Sequence, residues 1–189
     1  MSLTSNNKKQ IKIAFVGTSA TGKTTLLWKY KKRMGKDSSV AFVHEAARDF
    51  FKSNSHIRER FGRKAQGKVQ SIMLAREQEA HKSGAKIIFC DRSVIDAVVY
   101  VKSTGNIKGA NELLERVKFW LPTYHKFFLL DPAGISYEKD EVRQEDEDTR
   151  QAFHNAFLEF FKESQIPFEL LSGTLKERIK RIDKMLSVI

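Results

Sequence analysis

The segment Gly17-Thr18-Ser19-Ala20-Thr21-Gly22-Lys23-Thr24 has the spacing G-x-x-x-x-G-K-T. Residues in this pattern can cradle a polyphosphate. The glycines let the backbone curl until successive N–H groups face one anion, and the start of a helix adds its positive end. Lys23 is spaced to reach the β- and γ-phosphates, and the Thr24 hydroxyl to hold Mg²⁺. The apolar run Ile11–Val16 precedes the loop and Thr25–Tyr30 continues from it, the strand-then-helix setting this chemistry needs. The predicted ligand is a nucleoside triphosphate, ATP with Mg²⁺, bound along Gly17 to Thr25. Read instead as a Gly/Thr-rich turn, the segment leaves the match at all four fixed positions unexplained.

Other groups could work beside such a loop. Asp91 follows the apolar residues Ile87 to Cys90, the pattern of a carboxylate that orients Mg²⁺ through water. It could equally accept a hydroxyl proton, or simply cap the helix that follows. The adjacent Arg92 could neutralise transferring phosphate oxygens or hold an anionic group of an acceptor, or be a surface arginine. Glu45 is a second candidate base for a hydroxyl acceptor, against the simpler role of an acidic residue in a first helical turn. His44 reads as a partly buried histidine with a satisfied ring, and no histidine spacing suggests zinc. In the charged stretch Tyr137–Arg150, Arg143 and Arg150 lie two helical turns apart. They could project from a lid that closes over phosphates, or the stretch could be a solvated acidic helix start.

The elements that must position these groups alternate along the chain. Strands are expected at Ile11–Val16, Val40–Val43, Lys86–Cys90, Lys126–Leu130 and Phe168–Leu171. Helices are expected at Gly22–Met34, Glu45–Lys52, Phe61–Lys82, Val94–Val101, Ala110–Leu121, Thr149–Lys162 and Leu175–Leu186. Phe153, Phe157, Phe160 and Phe161 mark a core-facing stripe at i, i+4, i+7 and i+8. Short apolar strands alternating with helices predict an α/β fold with a parallel sheet covered on both faces. Ligands in such sheets bind beyond the carboxyl ends of the strands, where the loop, His44-Glu45 and Asp91-Arg92-Ser93 all fall.

The 189 residues suit one domain over residues 11–189, preceded by a polar, tag-like Met1–Gln10. With one cysteine, Cys90, no internal disulfide can form, which fits a cytoplasmic setting, as does the lack of a secretory signal. Lys and Arg exceed Asp and Glu by 34 to 23, a formal net charge of +11 that suits polyanionic partners. Nucleic acid or an anionic lipid surface would fit that charge. The basic residues are spread over several helices, however, and no groove-reading motif or strongly basic amphipathic segment supports either partner.

Four segments together resemble a known family: Gly17–Thr24, Glu45-Ala-Ala-Arg48-Asp-Phe50, Phe89-Cys-Asp-Arg-Ser-Val-Ile-Asp96, and Val142-Arg143-Gln-Glu-Asp146 with Arg150. They look like the NadR/Ttd14-type AAA-domain proteins, related to the nicotinamide riboside kinase domain of the bacterial NAD regulator, and more distantly like deoxynucleoside kinases. The resemblance runs from about Ile11 to Val188. It implies a P-loop NTPase three-layer sandwich with strand order 2-3-1-4-5. Lys23 and Thr24 would then serve phosphate and Mg²⁺, and Glu45 and Asp91 would be acceptor-side or metal-side carboxylates. Arg92-Ser93 departs from the bacterial regulator and is similar to the nucleoside kinases. The leading expectation is a phosphotransferase moving the γ-phosphate of ATP to a small nucleoside-like acceptor, nicotinamide riboside among the candidates. The alternative is a nucleotide-dependent ATPase switch that binds a partner. A Ras-type GTPase is disfavoured, because no N/T-K-x-D motif follows the fourth strand.

Overall fold

Period-two alternation in the strands builds two cores, one on each face of a single sheet. The computed structural model describes residues 10–135 and 146–188. Strands β1 (Ile11–Val16), β2 (Val40–Val43), β3 (Ile87–Asp91), β4 (Lys126–Leu130) and β5 (Phe168–Leu171) form a parallel sheet in the order β2-β3-β1-β4-β5. Ile13, Phe15, Phe89, Phe128 and Leu130 face α1 (Lys23–Met34) and α7 (Leu175–Leu186). Ala14, Val16, Ile88, Cys90, Phe127 and Leu129 face the other way. They pack beneath α2 (Ala46–Ser53), α3 (Arg63–Lys82), α4 (Asp96–Ser103), α5 (Ile107–Val117) and α6 (Glu147–Ser164). The expected phenylalanine stripe of α6 lies in this second core, all four rings buried. Each such burial is worth roughly 2 kcal/mol.

The register sets the heights of the strand ends. Phe15 of β1 pairs with Asp91 of β3 on one side and Phe128 of β4 on the other. The turn after β1 therefore emerges level with the end of β3. Asp91 is the last residue of its strand, and α4 begins only at Asp96 with no side-chain cap. The capping role considered for Asp91 is thus not observed. The earlier start expected for α4, at Val94, fails because Ser93 turns the chain. The Asp96 carboxylate accepts hydrogen bonds from the Ser93 backbone N–H and hydroxyl, both at 2.9 Å.

The helix expected over Ala110–Leu121 starts three residues earlier, where the Asn106 side chain accepts from the Gly109 N–H at 2.8 Å. It then tightens into a 3₁₀ helix, Lys118–Thr123, that contains Pro122. Proline lacks the N–H that an α-helix would need there. α6 starts at Glu147, two residues before the expected point, because Asp146 caps it by accepting from the Thr149 N–H at 2.8 Å. No helix among the described residues is long and apolar enough to cross a membrane.

Candidate active site

The turn after β1 curls through left-handed backbone at Gly17 (φ 124°), Ala20 (φ 51°) and Gly22 (φ 88°). At Gly17 a side chain is also excluded by space: a Cβ there would lie 3.1 Å from Leu129 Cδ1 and 3.3 Å from the Leu130 carbonyl oxygen. Lys23 folds back over the loop, donating to the Thr18 carbonyl and, at 3.2 Å, to the Thr21 hydroxyl. Burial, followed by the nearby Arg92 cation, pushes the Lys23 amine down to about 7. A polyphosphate would reverse that shift, because an anion at the amine favours its charged form. The hydroxyls of Thr18 and Ser19 are buried without a protein partner.

Thr24 and Asp91, far apart in sequence, meet here. The Thr24 hydroxyl donates to Asp91 Oδ2 at 2.6 Å, while Asp91 Oδ1 is buried with no hydrogen-bond partner. Burial and then the Glu45 charge hold the Asp91 carboxyl above its ordinary range. A hydroxyl beside a carboxylate with a spare, dehydrated oxygen is a donor set suited to Mg²⁺.

Arg92 is no surface arginine. Its side chain is 11% exposed, and its backbone is left-handed at φ 73°, pinned by a hydrogen bond from its N–H to the Phe15 carbonyl at 2.9 Å. Strain at a non-glycine residue persists only where the surroundings enforce it, and here it turns the guanidinium toward the loop. That guanidinium donates to Glu45 Oε1 at 2.6 Å, Asp96 Oδ1 at 3.1 Å, the Tyr100 hydroxyl at 3.0 Å and the Gly17 carbonyl at 3.2 Å. Burial works against its charge, and Tyr100, Glu45 and Asp96 more than offset this.

Glu45 precedes α2 but bonds no N–H of that helix with its side chain. Its carboxylate is 16% exposed and turned to Arg92, with Arg48 at 3.9 Å on the other side. Burial raises its pKa, but the Arg92 and Lys23 cations override that and hold it below the ordinary glutamate range. Glu45 is thus ionised while Asp91 is held up, the divergence expected when two nearby carboxylates compete for the same cations.

A cleft of about 300 Å³ joins the loop to Glu45 and Arg92, walled by Phe51, Phe61 and Tyr100, with Arg48, Arg60 and Gln66 at its polar margins. These wall residues were invisible as a group in the sequence, since they come from α2, the segment before α3, α3 itself and α4. His44 points elsewhere, with Nε2 3.0 Å from Lys31 Nζ and its ring against Trp28.

Arg150 is not placed as a lid residue. It is 1% exposed and donates to the carbonyls of Ser19 (3.3 Å), Ala20 (3.5 Å), Pro132 (3.1 Å) and Ile135 (3.2 Å), and to the Glu147 carboxylate. Arg143 and the rest of 136–145 lie outside the described residues. Arg178, not singled out from the sequence, also reaches the loop. Its position within the apolar stripe of α7, between Leu175 and Ile182, was the available signal.

A family model for the AAA domain matches residues 12–178. The chain belongs to the AAA domain family. Comparison with curated proteins gives no match. Among solved structures, the NadR protein in complex with nicotinamide riboside (NR) superposes with a TM-score of 0.74 at 16% identity, and the NadR complex with NAD and AMP-PNP with 0.65 at 17%. Each comparison covers 95% of this chain and 49% of the NadR chain, so the protein spans about half the length of those relatives. Deoxyadenosine kinase from M. mycoides with bound dCTP superposes at 0.62 with 20% identity, covering 95% of this chain and all of that one. The shared fold is that of P-loop nucleotide kinases, with the strand order expected from the family's motifs.

Proposed function

We propose that this AAA-domain protein is an ATP-dependent phosphotransferase that moves the γ-phosphate to a hydroxyl of a nucleoside-like acceptor. One observation carries the reading: the phosphate loop and the ionised Glu45 carboxylate line the same cleft, bridged by Arg92. Loop N–H groups and Lys23 bind the polyphosphate. Thr24 and Asp91 would hold Mg²⁺, which supplies counter-charge to the phosphate oxygens. Glu45 takes the acceptor's hydroxyl proton as that oxygen bonds to the γ-phosphorus. The bond from phosphorus to the β,γ-bridging oxygen breaks and ADP departs. Arg92 keeps Glu45 ionised and oriented through the 2.6 Å contact. The aromatic walls suit a planar base, and the nucleoside and nucleotide ligands of the NadR and deoxyadenosine kinase structures support that acceptor class.

The test is ADP release from Mg²⁺·ATP with and without a pool of nicotinamide riboside, common nucleosides and their monophosphates. Release stimulated by the pool and abolished by Lys23→Ala is the expected result. Release indifferent to every acceptor would instead favour a nucleotide-dependent switch, and full activity in Lys23→Ala would overturn the role of the loop.

A further inference from the structure

Arg178 is 2% exposed, and its guanidinium is spent entirely on backbone carbonyls in the hydrogen bonds it makes. It donates to Thr21 at 2.6 Å, Asp131 at 2.8 Å and Gly173 at 3.0 Å. Those oxygens belong to three separate segments at the carboxyl edge: the phosphate loop and the ends of β4 and β5. Arg150, from α6, takes the Ser19 and Ala20 carbonyls, and neither arginine lines the cleft that the loop faces. Two buried cations thus hold three consecutive loop carbonyls, Ser19 to Thr21. In a planar trans peptide, the carbonyl of one residue and the N–H of the next point in opposite directions. Fixing these carbonyls outward therefore fixes the N–H groups of Ala20, Thr21 and Gly22 inward, toward the mouth of the loop. The left-handed Ala20, unfavourable for a residue with a side chain, belongs to the conformation so held.

We propose that Arg178, seconded by Arg150, is a positioning residue for polyphosphate binding. It presets the loop's amides for the anion through the carbonyls behind them, without touching the ligand. The inference rests on the reading that this loop binds a triphosphate, and it adds a determinant on the last helix. Burying an arginine among carbonyls is worthwhile for α7 packing alone only if phosphate affinity is indifferent to it, and that is the point to measure.

The probes are inorganic tripolyphosphate, which has no base, and Mg²⁺·ATP, each titrated by calorimetry against the parent, Arg178→Met, Arg178→Lys and Arg181→Met. Arg181 is the control, an exposed residue of the same helix paired with Glu169. Charged hydrogen bonds of this kind set the scale of the loss, about tenfold in affinity for both probes in Arg178→Met. The KM of the acceptor should stay unchanged. Arg178→Lys keeps the charge but not the fork, and should fall between, roughly threefold weaker than the parent. Arg181→Met should match the parent. A folded Arg178→Met that binds tripolyphosphate within a factor of two of the parent would overturn the proposal. If Arg178→Met does not fold, Arg178→Lys decides: an intermediate affinity supports the clamp and a parental affinity overturns it. A parent that binds neither probe overturns the triphosphate reading along with the clamp, whereas a binding parent with indifferent variants overturns the clamp alone.

Discussion

Two buried charge clusters lie along the same central strands, one near each end, and only one opens on a cleft. Near the amino end, Lys12 and Glu77 are 1% and 0% exposed and meet at 2.8 Å. Trp120 and Tyr124 donate to the two Glu77 oxygens at 2.8 Å and 2.5 Å, and the Lys12 ammonium sits 4.2 Å and 3.8 Å from the centres of their rings. No atom of this cluster is left without a partner. At the carboxyl end, Glu45, Arg92, Asp96 and Asp91 are as densely charged, yet Asp91 Oδ1 is unsatisfied and Glu45 lines the cleft. Buried charge by itself says little about function. An ion pair fully enclosed by hydrogen bonds and rings pins the packing, while one with unspent capacity next to a cleft can bind and react.

The comparison can be broken most forcefully at Glu77. Glu77→Leu leaves the Lys12 cation buried without a counter-ion and should cost about 3–5 kcal/mol of stability in chemical denaturation. The turnover of whatever remains folded should be near that of the parent, and a selective loss of turnover would mean that the closed cluster is part of the machinery. At the open cluster the expectation is the reverse. Glu45→Gln should lower kcat about a hundredfold, near 2.7 kcal/mol of barrier, with a much smaller change in the denaturation midpoint. If stability fell and kcat did not, Glu45 would be a structural partner of Arg92 and nothing more.

Tyr124→Phe sharpens the picture, because its hydroxyl touches both Glu77 and, as acceptor, the Val94 N–H at 3.2 Å. Removing it should cost about 1–3 kcal/mol of stability and little turnover, as read by paired denaturation and rate measurements. The smallest effect belongs to an exposed pair. Asp183 accepts from Arg33 and Tyr30, and its pKa is lowered chiefly by the Arg33 hydrogen bond. A depressed carboxyl stabilises above its unfolded value of 3.8 and loses that contribution as pH falls through the folded value. Asp183→Asn should therefore lower stability by less than about 1 kcal/mol at pH 7, since solvent screens the pair. The gap from the parent should close below pH 4, and thermal melts across pH 2–7 would show whether it does.

Much of this protein is written locally. The spacing Gly17–Thr24 specifies the loop, because curling, helix start and Lys23 are properties of one short stretch. Short apolar runs placed all five strands to within a residue, and the phenylalanine stripe identified the buried face of α6. Helix starts were less legible, since caps such as Asn106 and Asp146 compete with neighbouring candidates and the tertiary fold selects among them. The strand order was carried by the likeness of the motifs and not by any pattern within the strands.

Only tertiary structure decided what the arginines do. From their sequence neighbours, Arg92, Arg150 and Arg178 are three basic residues on or near helices. In the fold, the first is strained into a left-handed turn against Glu45, and the other two are buried behind the phosphate loop. The physical reason is that their partners lie elsewhere in the chain: Glu45 is 47 residues from Arg92, Ser19 is 131 from Arg150, and Thr21 is 157 from Arg178. A guanidinium is directed by acceptors in space. Periodicity and composition describe which face of a helix is buried, and the identity of what waits there is set by the packing of the whole chain.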